Sequence, residues 1–147
     1  MSDEQNSVSD LLEDNDVQVF QHFSTSSGLT APLEIIHLSK NSKLEIIKVY
    51  NDKLKTHNLS LTISVLEENS NLTSFVLLKG SIFTRSEMHT LLEGKNSNAN
   101  INGIYLSSDT QHHDMTSSVY HNVPHCKSSQ IVKGVLGEKS TAVFQGK

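Results

Sequence analysis

Short apolar runs recur from Val17 to Phe144 and none sustains a helical period, which limits the folds open to this chain more than any other feature. The runs are Val17 to Phe23, Leu33 to Leu38, Leu44 to Tyr50, Leu59 to Leu66, Leu72 to Leu78, Met88 to Leu92, Ile101 to Leu106, Ser118 to Tyr120, Ile131 to Leu136 and Ala142 to Phe144. Asn, Ser, Gly and Asp separate them. An amphipathic helix needs apolar residues every third or fourth position over roughly ten residues. The best attempt, Arg85 to Glu93, is too short and reads equally well as strand. In Leu59-Ser60-Leu61-Thr62-Ile63-Ser64-Val65 the period of two is clean, so Leu59, Leu61, Ile63 and Val65 share one face of a strand. The chain is therefore expected to be all-β. Trp is absent and aromatics make up 5% of residues, so Ile, Leu and Val are expected to supply the core.

Without crossover helices, such a series suits either an antiparallel sandwich or a coil of parallel strands. Two-residue hairpin turns of the Asn-Gly or Asp-Gly type do not separate the runs. Ser and Asn are abundant, and both suit corners and polar ladders stacked from coil to coil. By pattern alone the two architectures stand near even, with a tilt toward the coil.

Met1 to Asp16 differs in texture: it is acidic and rich in Ser and Asn, with only Val8, Leu11 and Leu12 apolar. It reads as a flexible leader with one short helical turn at Ser9 to Glu13. The formal net charge is -4, and residues 1–39 hold seven acids and no Lys or Arg. The rest carries nine acids against twelve bases, without the clustered basic stripe of a nucleic-acid surface. One cysteine excludes an internal disulfide and fits a reducing compartment. Nothing near Met1 joins a basic start to an apolar core, and no run approaches the ~20 apolar residues of a membrane span. The expectation is a soluble cytoplasmic protein with neither a membrane nor a nucleic acid as partner.

Chemistry-bearing residues concentrate late. Four of the eight histidines (His112, His113, His121 and His125) and the only cysteine, Cys126, fall within fifteen positions. His121, His125 and Cys126, with His112, have the residue types of a zinc or iron site. Their spacing is poor for one. Neighbours on a strand point to opposite faces, so His112 with His113, or His125 with Cys126, share an ion only where the backbone turns, as Pro124 allows. The reading preferred here is that His121 and His125 hydrogen-bond at corners while Cys126 packs as a small apolar side chain. Asp114 with His112 forms an i, i+2 acid-base pair of a kind that arises by chance in such a chain. Gly134 to Thr141 lacks the glycine-lysine contact of a phosphate loop, because Glu138 intervenes, and reads as a turn. Asn58-Leu59-Ser60 and Asn71-Leu72-Thr73 match glycosylation acceptors by chance. No catalytic residue is assigned.

An ordered series then adds to this reading: Gln111-His112, Asp114, Thr116, His121, Pro124-His125-Cys126, Ser128, Lys133-Gly134-Val135-Leu136 and Val143-Phe144-Gln145-Gly146-Lys147. Upstream come Ala31 to Leu38, Arg85-Ser86-Glu87, Leu92-Glu93-Gly94 and Ile101 to Leu106. Together they resemble the core domain of the SufB/SufD family, on its SufD side, over roughly residues 17–147. Met115 and Ser129 depart from the family pattern, which favours a polar residue and an arginine there. The resemblance implies a right-handed parallel β-helix and a non-enzymatic scaffold role in iron-sulfur cluster assembly, with SufB-like and SufC-like ATPase partners. A transient cluster would then belong to the complex rather than to a bound cofactor of this chain. Family members run on beyond the Phe-Gln-Gly-Lys segment, so residues 17–147 are expected to be a partial core, with the family's cluster-handling positions lying past Lys147. An uncapped last coil would leave the isolated chain sticky. The rival readings are a small metal-dependent β-fold enzyme using His112, His121, His125 and Cys126, and a generic β-solenoid interaction module.

Overall fold

The computed structural model describes the backbone of residues 16–22, and residues 27–52 and 55–147 in full. The proposed leader, residues 1–16, falls outside them but for Asp16. Every regular element is a strand: β1 (Asp16–His22), β2 (Gly28–Thr30), β3 (Leu33–Leu38), β4 (Lys43–Asp52), β5 (Thr56–Leu66), β6 (Asn71–Gly80), β7 (Phe83–Leu92), β8 (Asn98–Ser107), β9 (His112–His121), β10 (Lys127–Leu136) and β11 (Thr141–Gly146). From β3 onward, successive strands alternate between two sheets. One runs β1-β4-β6-β8-β10, the other β11-β9-β7-β5-β2 with β3 also on β5, and every pairing is parallel. The result is a flattened β-solenoid of about four turns, which settles the sandwich alternative.

Corners explain how so few glycines suffice. Asn41, Asn69, Asn96 and His125 all take the left-handed conformation, at φ 62°, 57°, 61° and 67°, and stack at the first corner of successive coils. Asparagine tolerates that region better than other residues with a Cβ, because its short amide bonds locally. Here the amides also bond one another. Asn69 Nδ2 donates to Asn41 Oδ1 at 3.1 Å and Asn96 Nδ2 to Asn69 Oδ1 at 3.2 Å, across intervals of 28 and 27 residues. The next residue at each of these corners, Ser42, Ser70, Ser97 or Cys126, turns inward. Ser42 and Ser70 hydroxyls each cap the carbonyl three residues earlier. Ser81, Asp109 and Glu138 occupy the corresponding left-handed positions of the second corner.

Between the sheets, the two inner faces differ. The β1-to-β10 sheet contributes bulk: Leu44, Ile46, Tyr50, Leu72, Val76, Leu78 and Ile101 are all buried. The facing sheet contributes Thr56, Asn58, Ser60, Thr62 and Ser64 from β5, and Thr84, Ser86 and Thr90 from β7, also buried. Leu59, Leu61, Ile63 and Val65 do share one face, as expected, but it is the outer one, and Leu59 is 41% exposed. Packing at interior density explains the choice: where one inner face is filled by large side chains, the other has room for small ones. Ile, Leu and Val still supply most of the core. Leu78 is fully buried, and truncation to alanine is expected to cost about 3 kcal/mol in urea unfolding, as methyl loss and cavity add.

Candidate functional site

The late histidines separate as the strand period requires. On β9, His112 faces out, its ring stacked on Phe83 at 5.4 Å and its Nδ1 2.6 Å from Thr141 Oγ1. Its neighbour His113 faces in and is wholly buried. Its Nε2 lies 2.9 Å from the Gly80 carbonyl and its Nδ1 2.7 Å from Ser107 Oγ. Burial holds the His113 imidazole below its ordinary range, an effect that the Gly80 carbonyl only partly offsets.

His121 ends β9 in an exposed position, with Nε2 2.9 Å from Ser128 Oγ. His125 sits exposed at the left-handed corner. Cys126 lies partly buried against the core, its Sγ 3.3 Å from Ser97 Oγ and 3.3 Å from the Gly94 carbonyl. It stands one coil on from Ser97 in the inward column at the first corner, in the position that serine holds in the three preceding coils. Cys126→Ser is therefore expected to change stability by less than about 1 kcal/mol, since the Gly94 carbonyl would accept from either group. A melting comparison checks this. Among the described residues, no three His, Cys, Asp or Glu side chains come close enough to hold one metal ion. The suggested His112–Asp114 pair is also not formed: Asp114 engages Arg85 at 3.8 Å and Thr116 at 3.5 Å instead.

Two polar groupings escaped sequence reading. The first is buried. Lys48, 5% exposed on β4, reaches across the interior to Glu34 Oε2 and to Thr62 Oγ1 at 2.5 Å. Desolvation holds the Lys48 ammonium below its ordinary range despite that carboxylate. Nearby Tyr50 is raised, again chiefly by burial. The second grouping lies on the outer face of β7 and β9. Arg85 is within 3.8 Å of both Asp114 and Glu87, Glu87 is 3.0 Å from His89, and His89 stacks on Tyr120 at 6.1 Å. Arg85, Glu87 and His89 alternate along one strand, so their common face could have been read; their meeting with Asp114 and Tyr120 needed the register.

Both outer faces also carry exposed apolar side chains. On the β2-to-β11 sheet, Leu33 is 59% and Ile35 57% exposed; on the other sheet, Ile131 is 55% and Val135 65% exposed. No helix of the described residues is long and apolar enough to cross a membrane.

Comparison with known proteins agrees with the architecture. Residues 5–147 match the family described as SUF system FeS cluster assembly, SufBD core domain. The chain is also 27% identical over 140 residues to the iron-sulfur cluster assembly protein SufD of Escherichia coli (strain K12). That match covers 93% of this chain and 33% of the relative, so the chain spans about a third of that protein's length. With its parallel coils and a family match over nearly its whole length, the chain belongs to the SufBD core domain family of the SUF iron-sulfur cluster assembly system.

Proposed function

We propose that this chain acts as a SufD-like scaffold subunit in cytoplasmic iron-sulfur cluster assembly, docking SufB-type and SufC-type partners rather than catalysing a reaction. The observation that carries this reading, beside family membership, is the set of apolar side chains exposed on the outer faces of both sheets: Leu33, Ile35, Leu59, Ile47, Ile131 and Val135. Exposed apolar side chains on the outer strand faces of a scaffold favour protein partners. In this reading the cluster is cargo of the complex. His121, His125 and Cys126 serve corners of the solenoid, and the Cys126→Ser chain is expected to support assembly.

Deletion of the coding sequence in its own host tests the role. Activities of iron-sulfur enzymes are expected to fall while their polypeptide levels hold, and to recover when either the wild-type or the Cys126→Ser chain is supplied. Unchanged activities in the deletion strain would contradict the proposal.

A further inference from the structure

His113 is the one imidazole sealed inside the described solenoid, at 0% exposure. Its hydrogen bonds fix its protonation. The Gly80 carbonyl can only accept, so Nε2 carries the proton; in the neutral ring Nδ1 is then bare, and the Ser107 hydroxyl donates to it. Three strands of both sheets meet through this ring: Gly80 ends β6, Ser107 ends β8, and His113 itself begins the inward face of β9. Both of its partners also line a cavity of about 360 Å³ that opens at the second corner, together with Gln111 and the charged Lys79 and Asp109.

Among the described residues no carboxylate hydrogen-bonds the ring, whose partners are the Gly80 carbonyl and the Ser107 hydroxyl. Its register neighbours on β7 and β11 are Thr84 and Ala142. The ionisable groups on the surrounding elements include Lys79 near the end of β6, Asp109 and Glu138 at the stacked second corners, Lys139 beyond, Arg85, Glu87 and His89 on β7, His112 and Asp114 on β9, and Asp52 at the end of β4. Among the described residues, none of them hydrogen-bonds the imidazole, and its sequence neighbour His112 opposes a charge there. Protonation would add a second donor at Nδ1, forcing Ser107 to give up its donation, and would place a charge on a side chain with no solvent-exposed surface.

We propose that His113 is an acid-sensitive latch: neutral, it ties β6 and β8 to β9 and closes the second corner; protonated, it releases that corner beside the open cavity. The other corner, built on asparagine amides and serine hydroxyls with His125 at its exposed end and Cys126 partly buried beside it, has among the described residues no buried histidine or acid and stays shut. This makes one edge of the solenoid responsive to mild acid while the sheets persist.

Hydrogen exchange on the whole chain, expressed as protection factors at about pH 5 and about pH 7.5, tests the latch. The reporters are the corner amides of Gln111 and His112, bonded to Ser108 and Ile82 carbonyls. Controls are Asn98 and Lys127 at the first corner, bonded to Ser70 and Ser97 carbonyls. Protection at the reporters is expected to fall in acid by up to about tenfold per pH unit, with the controls unchanged, and His113→Gln is expected to abolish the fall. Equal protection at both pH values, loss at both corners together, or an unaltered fall in the variant would overturn the proposal. A ring titration of His113 by NMR on the wild-type chain needs no variant. A midpoint below that of a free imidazole, coincident with loss of reporter protection, supports the latch, and an ordinary or raised midpoint overturns it.

Discussion

Replacing Gly94 by alanine is expected to destabilise the solenoid by about 3 kcal/mol or more, at the upper end of overpacking effects. Gly94 lies in the first corner after β7, with its amide bonded to the Leu66 carbonyl at 3.0 Å. A Cβ there would sit 1.9 Å from the Glu68 nitrogen and 2.1 Å from the Glu67 carbonyl carbon, both backbone atoms of the coil below. Backbone cannot swing away as a side-chain tip can, so the whole corner would have to lift and the 2.9 Å bond from Glu93 to Leu66 with it. Gly137, at the opposite corner, is the control. Its nearest atom to an added Cβ is the Ser107 carbonyl oxygen at 3.7 Å, an ordinary contact. Gly137→Ala is expected to lie within about 0.5 kcal/mol of wild type. Urea midpoints of the two variants measure the contrast, and equal effects would show that stacking distance at the first corner is not what selects glycine.

Glu34→Gln is the second change expected to have a large effect, about 3 kcal/mol, because it strands the Lys48 ammonium in the interior without its counter-charge. Lys48→Met should cost far less. It removes the buried charge, keeps the length of the side chain, and leaves Glu34, whose side chain is 16% exposed, the closer of the two to water. The pair therefore predicts an asymmetry: loss of the acid is severe, loss of the base is mild. Alkaline titration supplies a further check. The folded Lys48 ammonium titrates below its unfolded value of 10.5, so between those two values the unfolded chain binds more protons and the Lys48 contribution to stability rises with pH. Lys48→Met is expected to remove that component. His113 works in the same sense at lower pH: its folded value lies below 6.5, so its contribution is undiminished above 6.5 and falls as pH drops toward the folded value.

The strand content and corner chemistry were legible because they are local, whereas pattern left the coil near even with a sandwich and the family resemblance supplied it. Apolar runs of period two set the strands, and asparagines and serines at near-constant intervals set the corners. Which face of β5 points inward was not legible. Period two groups Leu59 with Ile63 as surely as it groups Ser60 with Ser64, and only the bulk arriving from Leu44, Ile46 and Tyr50 across the interior decides between them. The same holds for Lys48, which sits where alternation alone would place an apolar residue and is rescued by Glu34 on another strand. Cys126 packs partly buried against the core, but its contact with Ser97 spans 29 residues and follows from coil length rather than from any motif. His113 was grouped with its histidine neighbours, although one strand position separates a solvent-facing ring from a sealed one.

The scaffold role is tested most directly by affinity capture of the tagged chain, expressed at native level in its own host, with co-purifying proteins identified by mass spectrometry. Recovery of SufB-type and SufC-type proteins in near-stoichiometric amounts is the result this account predicts. Capture of chaperones alone, with neither Suf partner, would contradict it.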